Sequence, residues 1–151
     1  MKKKTNEIKL VFPSVSENEN FARTAVAAFA AQLDPTLEEL ADIRTAVSEA
    51  VTNCIVHAYR NGNGNIFLHC VLFDEGSIRI KIRDLGCGID DVQKAMQPLY
   101  STAGEERAGL GFAVMQTFMD KLRVKSTVGK GTTVTMEKKV FGKMAAENEC
   151  A

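Results

Sequence analysis

Between Ser77 and Arg83 the chain reads SIRIKIR. Ile78, Ile80 and Ile82 alternate with Arg79, Lys81 and Arg83. A period of two places successive side chains on opposite faces of a β-strand. One face of this strand is therefore apolar and the other wet. A sheet built around it carries helices on one side only.

The other segments fit that frame. Lys9 to Pro13 reads as a short strand ended by proline, and Ser14 to Asn20 as a turn with a helix cap. Phe21 to Leu33 is Ala-rich with helical spacing. Asp34, Pro35 and Thr36 are start signals for a second helix. Asp34 can cap, Pro35 suits the first helical position, and Thr36 with Glu39 has capping-box spacing. This helix is expected to run to about Tyr59, with Leu40, Ile43, Val47, Val51, Cys54 and Ala58 as its apolar stripe.

Ile66 to Phe73 reads as a central strand, joined to the SIRIKIR strand by a turn at Asp74-Glu75-Gly76. A short helix is expected over Asp90 to Gln97, and a polar loop over Pro98 to Arg107. A helix follows from Gly109 to Lys121, then strands Leu122–Thr127 and Thr132–Lys138. The order is β-α-α-β-β-α-β-β. It predicts an α/β (α+β) two-layer sandwich with a mixed, largely antiparallel sheet and helices on one face. One domain over residues 1–140 and a frayed tail over 141–151 complete the expectation.

The 151 residues include 19 basic and 19 acidic side chains. Zero net charge gives no electrostatic reason to expect nucleic acid or an acidic membrane as the main partner. MKKKTNEIKLVF begins like a signal peptide, but no apolar segment follows Lys4. No stretch approaches the run of about 20 apolar residues that a membrane span needs. A cytoplasmic protein is expected. Cys54, Cys70, Cys87 and Cys150 show no CxxC spacing, so they read as buried or half-buried thiols in a reducing compartment.

Four features carry chemistry. Glu49, Asn53 and His57 stand four apart on the long helix and share one edge of it. A carboxylate, a carboxamide and an imidazole are unusual on an otherwise apolar rod. Small Ala46 and Ala50 beside them leave room for a ligand. Second, Asp84-x-Gly86-x-Gly88 follows a strand end, where a carboxylate can accept two donors and glycines admit a flat ligand. Third, Gly109-Leu110-Gly111 opens a helix and offers N–H groups to an anion. The loop before it holds Ser101, Thr102 and Arg107, which suit phosphate oxygens. Fourth, Gly131-Thr132-Thr133 enters a strand. Each feature alone is also what an ordinary turn or helix start looks like. Neither a Walker A loop nor GxGxxG occurs.

The fixed order of these four features resembles the GHKL nucleotide-binding fold, also called the Bergerat fold. It is shared by histidine kinases, Hsp90-type chaperones, type II topoisomerases and small serine kinases. The runs AQLDPTLEELADIRTAVSEAVTN (31–53), QPLYST (97–102) and ERAGLGFAVMQTFMD (106–120) resemble the anti-sigma factor serine kinases, closest to the sporulation branch.

The resemblance implies ATP/ADP and Mg²⁺ as cofactors. It implies that Glu49 is a general base for a serine hydroxyl and Asn53 a Mg²⁺ ligand. Asp84 would read the adenine amine, with Thr132 or Thr133 supplying a hydroxyl over a floor of Gly86 and Gly88. Ser101 to Ala108 would form a phosphate lid, in which Arg107 neutralises the γ-phosphate. The N–H groups of Gly109, Leu110 and Gly111 would hold the remaining phosphates. Ala103-Gly104 departs from the Lys-Pro expected in that lid.

The implied partners are a sigma factor of the sigma F type, an anti-anti-sigma factor phosphorylated on serine, and a second copy in a homodimer. Arg23 matches a position that contacts a partner. His57 receives no role. The alternatives are a stress-response anti-sigma B-type kinase, a module that holds ATP without turnover, and a histidine-kinase-like catalytic domain.

Overall fold

In the computed structural model the described residues are 2–97 and 103–142, and for 103–109 only the backbone is described. The chain forms β1 (Lys4–Pro13), α1 (Glu17–Ala30), α2 (Leu37–Asn53), β2 (Asn65–Phe73), β3 (Ser77–Asp84), a short α3 (Val92–Ala95), α4 (Ala103–Phe118), β4 (Lys121–Thr127) and β5 (Gly131–Lys139). The five strands lie in the order β1-β2-β3-β5-β4. Every neighbouring pair is antiparallel, so the sheet is wholly rather than largely so. The crossover through α3 and α4 carries the chain to the far edge. The β4–β5 hairpin then folds back beside β3.

The SIRIKIR alternation sets the layers. Ile78, Ile80 and Ile82 are at most 1% exposed. They meet Val26, Phe29, Ile43, Val47 and Met115 of the long helices in one core. Burial of each isoleucine contributes about 1.5–3 kcal/mol. The side chains of Arg79, Lys81 and Arg83 lie on the uncovered face. Among the described residues no helix is long and apolar enough to cross a membrane. Ala46 and Ala50, expected to leave ligand space, are both buried; Ala46 packs in the core, while Ala50 also borders a cavity described below.

The start of α2 is shifted from the expectation. Asp34 adopts a left-handed conformation (φ 52°) and closes the preceding turn, its N–H on the Ala31 carbonyl, instead of capping α2. Pro35 precedes the cap instead of opening the helix. Thr36 is the N-cap: its Oγ1 accepts from the Glu39 N–H at 3.1 Å, and its own N–H donates to Glu39 Oε1 at 2.9 Å. Glu39 also accepts from the N–H groups of Phe141 (2.8 Å) and Gly142 (3.1 Å). The chain after β5 is thus tied down at these two residues, where a frayed tail was expected. Residues 143–151 lie outside the described residues. Burial alone would raise the Glu39 carboxyl, but the N–H groups of Thr36, Phe141 and Gly142 outweigh it and hold it below its usual value.

Thr36→Ala is expected to cost about 1 kcal/mol, and Glu39→Ala more, because it also frees the segment after β5. Thermal melts check this; about 2–4 °C is expected per kcal/mol in a chain of this size. Glu39→Gln should destabilise at neutral pH. That difference should fade as pH falls from the ordinary value of 4.5 through the lowered one.

Candidate functional site

The long helix does not continue as an α-helix to Tyr59. After Asn53 it widens into a π-helical turn over Cys54–Ala58, closed by the Tyr59 N–H on the Cys54 carbonyl at 3.0 Å. Such turns insert one residue and often mark functional positions. The turn ends against the Asp84 loop. The Cys87 N–H donates to the Ala58 carbonyl (3.0 Å), and the Leu85 N–H donates to the Tyr59 hydroxyl (2.7 Å). From the other side the Gly129 N–H donates to the Cys87 carbonyl at 2.8 Å. A Cβ at Gly86 would collide with the Ala58 carbonyl, and Gly88 has φ +77°. The glycines are therefore required by the close approach and by the backbone turn.

Between these walls lies a cavity of about 1070 Å³, lined among others by Asn53, His57, Asp84, Gly88 and Thr132. It is at the upper end of the size common for small-molecule and cofactor sites. Asp84 closes it at the end of β3 and is 4% exposed. Its Oδ1 accepts from the Gly86 N–H (2.9 Å) and the Thr132 N–H (3.2 Å). Burial pushes its carboxyl up, against those hydrogen bonds and one from the Cys54 thiol. Beside it the Thr132 hydroxyl is 2.8 Å from Ser126 Oγ. The Ser126 hydroxyl is held by the Gly131 carbonyl (3.1 Å) and the Ile89 N–H (2.7 Å). With the Ser126 proton committed to Gly131, Thr132 donates to Ser126 and keeps its lone pairs for a ligand.

The second wall is where α4 crosses α2. A Cβ built on Gly111 would stand 3.1 Å from Glu49 Oε2 and 3.3 Å from both Asn53 amide atoms. Glycine at this point lets α4 settle onto the two polar side chains. Asn53 Nδ2 is buried with no hydrogen-bond partner. An orphaned buried amide costs about 1–3 kcal/mol unless something fills the site. Glu49 lines a different depression, a groove of about 460 Å³ that it shares with Arg23, Leu40, Arg44 and Ser48. The Arg23 guanidinium is held there by Asn20 Oδ1 (3.1 and 2.9 Å) and lies 3.6 Å from Glu19. Glu49 and Asn53 thus face two different spaces across one helical turn.

Three sequence expectations are corrected. Thr133 pairs with Arg83 and Lys125 on the uncovered face, because strand alternation sends it away from Thr132. Gly109, Leu110 and Gly111 do not open a helix. The helix begins at Ala103, so their N–H groups fall inside it, and the Leu110 side chain is 51% exposed. Ala103, Glu105, Glu106, Arg107 and Ala108 are good helix formers, and isolated glycines cost only about 1 kcal/mol each. Third, the stretch Ala103–Arg107 is helix instead of loop. Ser101 and Thr102 lie outside the described residues, as does the Arg107 side chain. Sequence reasoning missed Ser126, because a lone serine in a strand carries no signal. His57, read on the same helix edge as Asn53 and then given no role, does line the cavity beside it.

Residues 12–138 match the family model described as the histidine kinase-like ATPase domain. The fold is that of this ATPase class. The chain is 63% identical to the anti-sigma F factor of Caldanaerobacter subterraneus subsp. tengcongensis over 134 residues, 88% of this chain and 93% of the relative. It is 49% identical to that of Clostridium acetobutylicum over 135 residues, covering 89% and 94%. The chain belongs to the anti-sigma F factor family. A solved Mycobacterium tuberculosis structure comprising RsbU and RsbW domains shares the fold, with a TM-score of 0.66 at 20% identity, over 90% of this chain and 33% of that one.

Asp84→Asn keeps an oxygen for the Gly86 and Thr132 N–H groups but removes a charge that burial disfavours. A raised carboxyl contributes stability below its unfolded value near 3.8 and loses it as pH rises. The variant without nucleotide should therefore melt no lower than the parent at pH 7. Its ATP affinity should fall by roughly tenfold or more, since a hydrogen bond to a charged group contributes about 1.5–3 kcal/mol. Calorimetric titration with ATP and a thermal melt separate the two effects.

Proposed function

We propose that the chain is an ATP-dependent protein-serine kinase that also holds a sigma factor of the sigma F type inactive, and that its kinase substrate is an anti-anti-sigma factor. The observation that carries the reading is the placement of Glu49. It sits in the groove that Arg23 borders, one helical turn from Asn53 in the nucleotide-sized cavity. A base between a protein-binding groove and a cofactor cavity suits transfer from a small molecule to a protein hydroxyl.

In this reading Asp84 accepts from the adenine amine, and Thr132 offers its lone pairs beside it. Asn53 would turn its amide oxygen toward Mg²⁺, which leaves its buried Nδ2, without a partner in the protein, to donate to a phosphate oxygen. Bound ATP supplies the γ-phosphoryl group, and Mg²⁺ neutralises charge on the phosphates. Glu49 holds and then takes the proton of the substrate serine hydroxyl. Arg23 orients the partner in the groove. Ser101, Thr102 and Arg107 serve the phosphates. For the N–H groups of Gly109, Leu110 and Gly111 to do the same, residues 103–108 must leave the helix, which makes 109–111 the new helix start. The protein acts as a homodimer in the cytoplasm. In this reading the sigma factor or the anti-anti-sigma factor meets Arg23 in that groove.

The test mixes the protein with Mg-ATP and a candidate anti-anti-sigma protein and maps the phosphate by mass spectrometry. Phosphoserine on the partner is expected; phosphohistidine, or no transfer, would sink the kinase reading. Glu49→Gln should lower transfer by about 10²–10⁴-fold with ATP affinity kept. Loss of ATP binding in that variant would show Glu49 to be a binding residue. Gly111→Ala should slow transfer by displacing Glu49 and Asn53. Its melting temperature should hold or rise, because alanine is favoured over glycine in a helix by about 1 kcal/mol.

A further inference from the structure

The uncovered face of the sheet segregates charge. Its side chains stand in rows across the five strands, read from the strand register. One row runs Glu7, Val71, Arg79, Glu137, Lys121. Here Glu137 meets Arg79 (2.9 Å), Lys2 (3.3 Å) and Lys121 (3.7 Å), so the row is neutralised. The next row runs Lys9, His69, Lys81, Thr135, Arg123. The one after runs Val11, Phe67, Arg83, Thr133, Lys125. These two rows hold five permanent cations and no carboxylate. Among the described residues the one ion pair to an acidic side chain that reaches them is Glu7 on His69 at 2.7 Å. Lys81, Arg83, Arg123 and Lys125 form a rectangle around the hydroxyls of Thr133 and Thr135. Adjacent rows are about 7 Å apart, and β3 and β4 about 10 Å apart.

None of these cations has a carboxylate opposite it on the neighbouring strand, so the array gains no cross-strand ion pair for the fold. A second copy related by a two-fold axis would set cation against cation. A protein partner would be expected to find an apolar centre, and these rows offer only Val11 at the outer edge. Aromatic rings that could stack unpaired bases are already covered. Arg83 lies 4.6 Å over Phe67, and on Phe73 sit Lys2 (4.4 Å) and Arg79 (4.9 Å). What remains is a rigid plane of guanidinium, ammonium and hydroxyl donors, the set that meets phosphate oxygens.

We infer that the open face of the sheet binds the phosphate backbone of double-stranded DNA, without reading its sequence. Zero net charge conceals the site, because among the described residues the carboxylates lie on the helices, in the loops, at the end of β3 and in the neighbouring row of the sheet instead of in these two rows.

Fluorescence anisotropy of a labelled 20-base-pair duplex, titrated with the full chain between 50 and 200 mM KCl, tests this. Four phosphate contacts predict a slope of log affinity on log salt of about −3.6, or roughly 150-fold weaker binding across that range. Lys81→Gln with Lys125→Gln should halve the slope to about −1.8 and leave ATP affinity, far-UV circular dichroism and melting temperature unchanged. No binding of the duplex at 50 mM KCl would overturn the inference, as would an unchanged slope in the double variant. Equal or tighter binding of a 20-nucleotide single strand or of polyglutamate would replace it with a stacking site or an acidic-protein site.

Discussion

A sheet buried on one face only is the constraint on which the rest of the molecule depends. The isoleucines of β3 cannot reach an apolar neighbour on more than one side. All three long helices therefore collect on that side. β5 is drawn between β3 and β4, where Val134 and Met136 extend the same apolar surface. Once that layer exists, a cavity forms where the helices diverge from the strand ends. The opposite face stays open and is free to carry charge.

The site follows from how loops close around that cavity. The π turn after Asn53, the glycine-bearing loop after Asp84 and the β4–β5 turn are stapled by backbone hydrogen bonds through Ala58, Cys87 and Gly129. These bonds hold Asp84 in a buried position that its charge alone would disfavour. The hydrogen-bonded hydroxyls of Ser126 and Thr132 complete that end. Gly111 completes the other end by admitting α4 onto Glu49 and Asn53. The two ends differ in kind. One is built of strand ends and turns held by backbone hydrogen bonds, and the other is a helix crossing whose first turns precede the residues that touch α2.

The thiols show how burial decides reactivity. Cys70 lies in the core, and burial raises its thiol to about 12. The Cys54 thiol is likewise held well above its usual value by burial and by Asp84 beside it. Both stay protonated and behave as small apolar side chains.

The sequence by itself determined the element order, the apolar face of β3, the capping pair Thr36 and Glu39, and the positions of Glu49, Asn53, Asp84 and Thr132. All of these rest on local periods of two or 3.6 residues or on spacing within one turn, which a chain carries in its order of residues. Family resemblance added the roles those residues are expected to play. Only the tertiary structure decided the rest. It placed Thr133 on the far side of the sheet, began α4 at Ala103, turned the helix end into a π turn and brought Gly111 onto Glu49 and Asn53. It also gathered Lys9, Lys81, Arg83, Arg123 and Lys125, which are scattered along the chain, onto one plane. Contacts of this kind join residues tens of positions apart, and they are fixed by packing between layers, which no local spacing records.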